Sequence, residues 1–175
     1  MHIRRVVTGQ RADGRSVFVS DQQVEPVAIG GLEFHRMWGS DALVELPTDG
    51  SEAQPRLYFP PAGGFRFAFF TLPPASAPPP PASIISEMQA KLPGLADVLE
   101  RDNPGMHTTD TVDFDVVISG EVWLELDDGA EVRLQPGDCV VQNGTRHAWR
   151  NRSDQPCVIA VTLVGAQRQA ATANS

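Results

Sequence analysis

Two of the four histidines in this 175-residue chain, His107 and His147, fall inside one stretch, Gly105 to Asn151, together with the carboxylates Asp113 and Asp115. An imidazole takes and returns a proton near neutral pH, and a carboxyl group can serve as its partner. In that reading His147 is the base and Asp113 or Asp115 its partner. If the segments carrying them are extended, side chains two apart share a face, so Asp113 and Asp115 point together, as do His147 and Trp149. An inward His147 then brings an aromatic wall with it. His35 has no potential ligand beside it in sequence and reads as a histidine on a sheet face. Cys139 and Cys157 show no CxxC or Cys/His spacing and are expected as small buried hydrophobes in a reducing compartment.

The elements that must position these groups are mostly strands. IRRVVT and SVFVSD, joined by a Gly/Asp turn, read as a hairpin, and the alternation of LEFHRMW puts Phe34, Arg36 and Trp38 on one face and His35 and Met37 on the other. Residues 41–64 are expected as loop with a short strand, and FRFAFFTLPP at 65–74 as a strand ending at its proline pair. The proline run 75–83 is an extended connector that cannot carry helix. A helix follows, with Ser83 as N-cap and Ile84, Met88 and Leu92 on one stripe, broken at Pro93 and resuming through Leu95, Val98 and Leu99. That helix either covers an open sheet face or closes a pocket mouth. From residue 111 strands alternate with tight turns, including DDG at 127–129, and Trp123 falls on the outward parity, available for a subunit contact. Strands at this spacing without intervening helices argue a sandwich or closed barrel.

Composition bounds the class. Fifteen Gly and 15 Pro favour a turn-rich, β-rich fold, and 175 residues suffice for one domain with a real core, taken as 1–165 with a disordered tail at 166–175. The formal net charge of −8, without a basic cluster, argues against a nucleic-acid partner. No apolar run approaches the ~18 residues of a membrane span and the N-terminus has no apolar core, so the expectation is a soluble, cytoplasmic protein with no membrane partner.

The stretch from 104 to 165, about a third of the chain, resembles the cupin superfamily, whose fold is a double-sheet jelly roll with a cavity between its sheets. Gly120 matches the closing glycine of the family's first motif, Asp113 stands where the family has Glu, His107 falls on the first histidine and Thr109 on the second. In the second motif Gly144, His147 and Asn151 match, Gln142 replaces a proline, and Pro136-Gly137-Asp138 resembles the usual turn before it. The resemblance implies an all-β, double-stranded β-helix barrel with an N-terminal strand extension and one or two short helices. It also implies a divalent metal (Fe, Mn, Ni or Zn) held by His107, Asp113 and His147, a 2-His-1-carboxylate set, with Thr109, Asp115 and Trp149 in the pocket. Asn151 reads as a turn residue. A homodimer through a sheet edge or the N-terminal strands is implied as well.

Geometry sets a condition on that metal set. In a straight strand residues 107 and 113 would lie roughly 20 Å apart, so the chain must turn between Thr108 and Val112. Two functions remain open. One is a metal-dependent enzyme, a dioxygenase, decarboxylase or isomerase, acting on an organic acid or aromatic metabolite. The other is a metal-free barrel that binds a small ligand or transfers a proton through His147 and an aspartate. Candidate pocket walls are Phe34, Trp38, Phe67, Phe69, Trp149 and the helix.

Overall fold

A computed structural model describes residues 2–52, 55 and 57–169. Among them are eleven strands: β1 Ile3–Gln10, β2 Ser16–Val24, β3 Val27–Ile29, β4 Leu32–Ser40, β5 Phe65–Leu72, β6 Thr111–Ser119, β7 Val122–Glu125, β8 Glu131–Leu134, β9 Cys139–Asn143, β10 Ala148–Arg150 and β11 Cys157–Gly165. A single α-helix, α1 Ile84–Lys91, follows the proline run. The strands make a six-stranded sheet in the order β3-β4-β5-β11-β6-β9, a three-stranded sheet β10-β7-β8 and the separate β1-β2 hairpin. This is the expected all-β jelly roll, with its two main sheets facing each other. No helix among the described residues is long and apolar enough to cross a membrane.

Alternation along the strands decides what each face holds. On β6, Thr111, Asp113, Asp115 and Val117 are buried while Phe114 and Ile118 are exposed. Between the sheets Val117, Val122, Leu124, Leu134, Cys157 and Ile159 form one apolar cluster. Fully burying side chains of this kind contributes about 1.5 to 3 kcal/mol each. The other end of the large sheet is closed by α1 and the turn after it, where Met88, Leu92 and Leu95 pack with Ile29, Phe34 and Val161. The helix begins after Ser83 as expected. Ser83 does not cap a backbone N–H, however; its hydroxyl donates to Glu87 at 2.9 Å. Pro93 ends the helix, and one 3-10 turn follows at Ala96–Val98.

Four expectations need correction. A register shift in the β4–β5 pairing between Arg36 and Trp38 sets Phe34 opposite Phe70 but Trp38 opposite Phe67, so Trp38 shares the face of His35 and not that of Phe34. His35 is buried on that face, opposite Phe69, and the β1-β2 hairpin docks there: Arg5 donates to the Met37 carbonyl at 2.8 Å and lies 5.6 Å over the Trp38 ring. Cys139 is exposed on the edge strand β9, whereas Cys157 is buried. No strand forms among the described residues of 41–64, which buried Arg66 gathers by donating to the Ser40 and Leu57 carbonyls. The segment after β11 is anchored in its first residues, since Ala166 N–H donates to Asp110 O at 2.8 Å and Arg168 pairs with Asp110; residues 170–175 lie outside the described residues. Trp123 is outward as expected, with Arg133 and Arg152 stacked 5.6 and 5.7 Å from its ring centre.

Gly120 closes the turn between β6 and β7 at φ 74°, and a Cβ there would meet the Pro156 carbonyl oxygen at 2.3 Å. Gly137 has a similar φ, 93°, but open space around it. Gly120→Ala is expected to lower stability by roughly 2 kcal/mol or more and Gly137→Ala by about 1 kcal/mol. Urea unfolding of the two variants beside the parent protein checks this; equal midpoints for the pair would show that backbone strain alone operates at both.

Candidate functional site

The chain meets the geometric condition set by the sequence. It bends at Asp110, so His107 lies outside β6 and crosses toward the smaller sheet, where it makes isolated antiparallel bridges to Leu99 and His147. His107 N–H donates to His147 O and His147 N–H to His107 O, both at 2.9 Å. The two rings stand 4.2 Å apart between centroids, inclined at 48°. Trp149, two residues on, meets His147 edge to face at 6.0 Å, as the shared parity required.

Hydrogen bonding fixes the imidazole tautomers. Nδ1 of His107 lies 3.0 Å from Gly105 O, and Nδ1 of His147 lies 2.9 Å from Thr145 O. A carbonyl only accepts, so each Nδ1 carries the proton and each neutral ring keeps its lone pair on Nε2. Neither Nε2 has a hydrogen-bond partner among the described residues. Burial lowers the pKa of His107; burial and then the neighbouring His107 take His147 down to about 4. Both rings are therefore neutral acceptors at pH 7.

The carboxyls are displaced the other way. Asp113 and Asp115 are each 5% exposed. Burial pushes Asp113 up to about 6, and it pushes Asp115 up to about 8 with help from the charge of Asp113. Asp113 Oδ1 is buried without a partner. Burial likewise holds the Tyr58 hydroxyl well above its ordinary range, and both aspartates add to that shift. Tyr58 thus remains a donor near two carboxyls.

All these groups line a single cavity of about 630 Å³. Its polar end holds His107, His147, Asp113, Asp115 and Trp149. The opposite walls come from Phe34 and Phe70 of the large sheet, from Tyr58 and Phe59 of the preceding loop, and from Ile84 and Met88 of α1. A third wall is the proline strap, Pro73, Pro74 and Pro78 to Pro80. Of the walls expected from sequence, Phe34, Trp149 and the helix take part. Trp38, Phe67 and Phe69 do not line it, because the β5 register sets the last two on the outer face. Thr109 is buried but does not line the cavity; its hydroxyl accepts from Thr111 at 2.8 Å. Tyr58 and the strap are walls that the sequence reading does not include; the signal for Tyr58 is the Tyr-Phe pair just before the apolar strand β5, and that for the strap is the proline run after it. Asn151 closes the β10–β11 turn, donating to Gln155 O at 2.7 Å and accepting from Ser153.

A first-row metal held by protein needs about three or more ligands converging within ~2.2 Å of one point. Among the described residues no group of three or more His, Cys, Asp or Glu side chains is gathered in that way. His107, Asp113 and His147 share the cavity without forming such a set, and Thr109, at the position of the motif's second histidine, engages its hydroxyl with Thr111.

Comparison with known proteins agrees with this fold. The family model described as Cupin domain matches residues 98–164. Over 59 residues the chain is 46% identical to phomopsin biosynthesis cluster protein C' of Diaporthe leptostromiformis, covering 34% of this chain and 31% of the relative. Over 50 residues it is 52% identical to oryzines biosynthesis cluster protein J of Aspergillus oryzae, covering 29% and 28%. The matched region thus spans under a third of the length of these relatives. Among solved structures, the Schizosaccharomyces pombe Cnp3 cupin domain aligns over 94% of this chain and 87% of its own at 10% identity, with a TM-score of 0.48.

The displaced carboxyls leave a pH signature. Asp115, held near 8 against 3.8 in an open chain, keeps a proton the unfolded chain has lost, so stability falls as pH rises from about 4 to 8. Asp113 adds a fall from about 4 to 6. The histidines have the opposite sense: the unfolded chain binds protons that the fold refuses, so both raise stability as pH climbs toward 6.5, His147 from about 4 upward. Above pH 6.5 Asp115 acts alone, and stability should fall toward pH 8 by no more than about 1.4 kcal/mol per pH unit. Urea unfolding at both pH values, with Asp115→Asn beside the parent, is the check. The variant should lose the decline, and an unchanged slope would contradict the assignment.

Proposed function

We propose, from the premise that residues 98–164 form a cupin domain, that this protein takes a small organic molecule into its cavity and moves a proton on it without a metal. One observation carries the reading: two neutral imidazoles, 4.2 Å apart, each offer an unengaged Nε2 to an apolar cavity that also holds two buried carboxyls. Relatives named for biosynthesis clusters support a role in small-molecule metabolism.

The step balances within these groups. His147 Nε2 takes a proton from a C–H beside a carbonyl, and the C–H electron pair forms the carbon–carbon double bond of an enol. The carbonyl oxygen takes the proton of the Asp115 carboxyl. Imidazolium and carboxylate remain, and the reverse step restores both. Apolar walls keep water from competing for either proton. His107, whose pairing with His147 fixes the ring, positions the base or exchanges roles with it.

A metal held by His107, Asp113 and His147 is the competing reading, and one experiment separates the two. Protein purified without a chelating tag is analysed for Fe, Mn, Ni and Zn, then incubated in D2O with 2-tetralone, an uncharged enolisable ketone. Proton NMR should show deuterium entering beside the carbonyl, with His147→Gln slower by about 10²-fold and metal content far below one per chain. About one metal per chain that disappears in His107→Ala and His147→Ala would establish the metal reading instead. Exchange that is no faster than buffer, or is untouched by His147→Gln, would overturn proton transfer.

A further inference from the structure

The cavity's charges restrict what can occupy it, on the reading that this cavity is the binding site. Two cationic side chains line it among the described residues, Arg150 and Arg152. Arg150 donates to Glu125 at 2.6 Å, and also to Pro104 O and Asn103. Arg152 is taken by Glu131 through both terminal nitrogens. Each guanidinium is therefore matched by a carboxylate, which leaves the acidic side chains Asp113 and Asp115 without a cationic partner among the described residues lining the cavity. A carboxylate ligand would give up its hydration to face two more acidic groups with no unpaired cation among the described lining residues in return. An ammonium would give up its hydration to walls that are apolar apart from the few polar side chains already named.

The histidine pair offers two acceptors at the polar end. Neither Nε2 lone pair receives a hydrogen from another described residue. Around them Phe34, Tyr58, Phe70 and Trp149 offer faces and edges for a flat apolar body, and the volume is within the range that encloses a drug-sized molecule.

We infer that the cavity takes an uncharged molecule bearing an O–H of the phenol or enol kind, its hydroxyl donating to His107 or His147 and its ring body lying on the aromatic walls. The imidazole pair then reads the hydroxyl, and the pairing of both described lining guanidiniums, Arg150 and Arg152, with carboxylates disfavours organic acids.

Isothermal titration of the full chain at pH 7 with four probes of one ring body tests this. They are 2-naphthol, 2-methoxynaphthalene, 2-naphthoate and 2-naphthylmethylamine. The expected order places 2-naphthol tighter than each of the others by about 10-fold or more, roughly one buried hydrogen bond or one unpaired charge. In His147→Leu and His107→Leu the gap between naphthol and its methyl ether should close while the ether's own affinity holds. The comparison within the parent protein needs no variant and so stands even if a variant fails to fold. Naphthoate or the amine binding as tightly as naphthol would overturn the ligand class and leave the cavity reading intact. So would an ether equal to naphthol in the parent. Failure of all four probes to bind would overturn the cavity reading itself.

Discussion

Two backbone hydrogen bonds, from His107 N–H to His147 O and back at 2.9 Å, hold the histidine segments together. A doubly bonded antiparallel pair sets its Cα atoms about 5.5 Å apart, so the rings must stand side by side whatever else the barrel does. Everything near the site serves that pairing. The bend at Asp110 frees His107 from β6, and Gly144, at φ 59°, turns the chain from β9 toward His147. Arg146 beside His147 reaches Glu100 at 2.6 Å, and Glu100 N–H donates to Met106 O. Arg168 donates to the carbonyls of both Thr109 and Gly144, at 2.7 and 3.0 Å, tying the two segments from outside.

Much of this was legible in the residues. The strand-turn rhythm from 111 onward, the DDG hairpin, the helix after Ser83 and the bend between Thr108 and Val112 all follow from local preferences, and local preferences read well in a single sequence. The shared parity of Asp113 with Asp115, and of His147 with Trp149, held because β6 and the run into β10 are regular. Trp38 was misplaced because one register shift reverses parity for every residue beyond it, and no composition marks where it falls. Cys139 was misplaced because β9 is a sheet edge, a fact of sheet order rather than of the strand itself. The cavity walls at Tyr58, Phe70 and the strap depend on contacts distant in sequence, beyond the reach of periodicity.

The site runs against the preferences of the rest of the core. Elsewhere β6 and β11 bury aliphatic side chains against each other, but at Asp113 and Asp115 the same inward face carries groups that would be better solvated. A Val at either position would pack without the cost of desolvating a carboxyl. Such polar intrusions in an otherwise consistent core are where folds give up stability for chemistry. The motif departures point the same way: Thr109 turns its hydroxyl to Thr111 and not to the cavity, so the polar end consists of acceptors and acids.

The proline strap contributes no strand to either sheet, yet it forms a wall of the cavity and is tethered where Ala75 N–H meets Ser153 O at 2.8 Å. Its backbone direction owes more to proline ring closure than to a strand ladder. Part of the cavity's wall is therefore set by a segment that neither sheet depends on. Descendants of this sequence can change the bulk or length of the strap, and with it the molecules admitted, while the pairing that folds the barrel stays as it is.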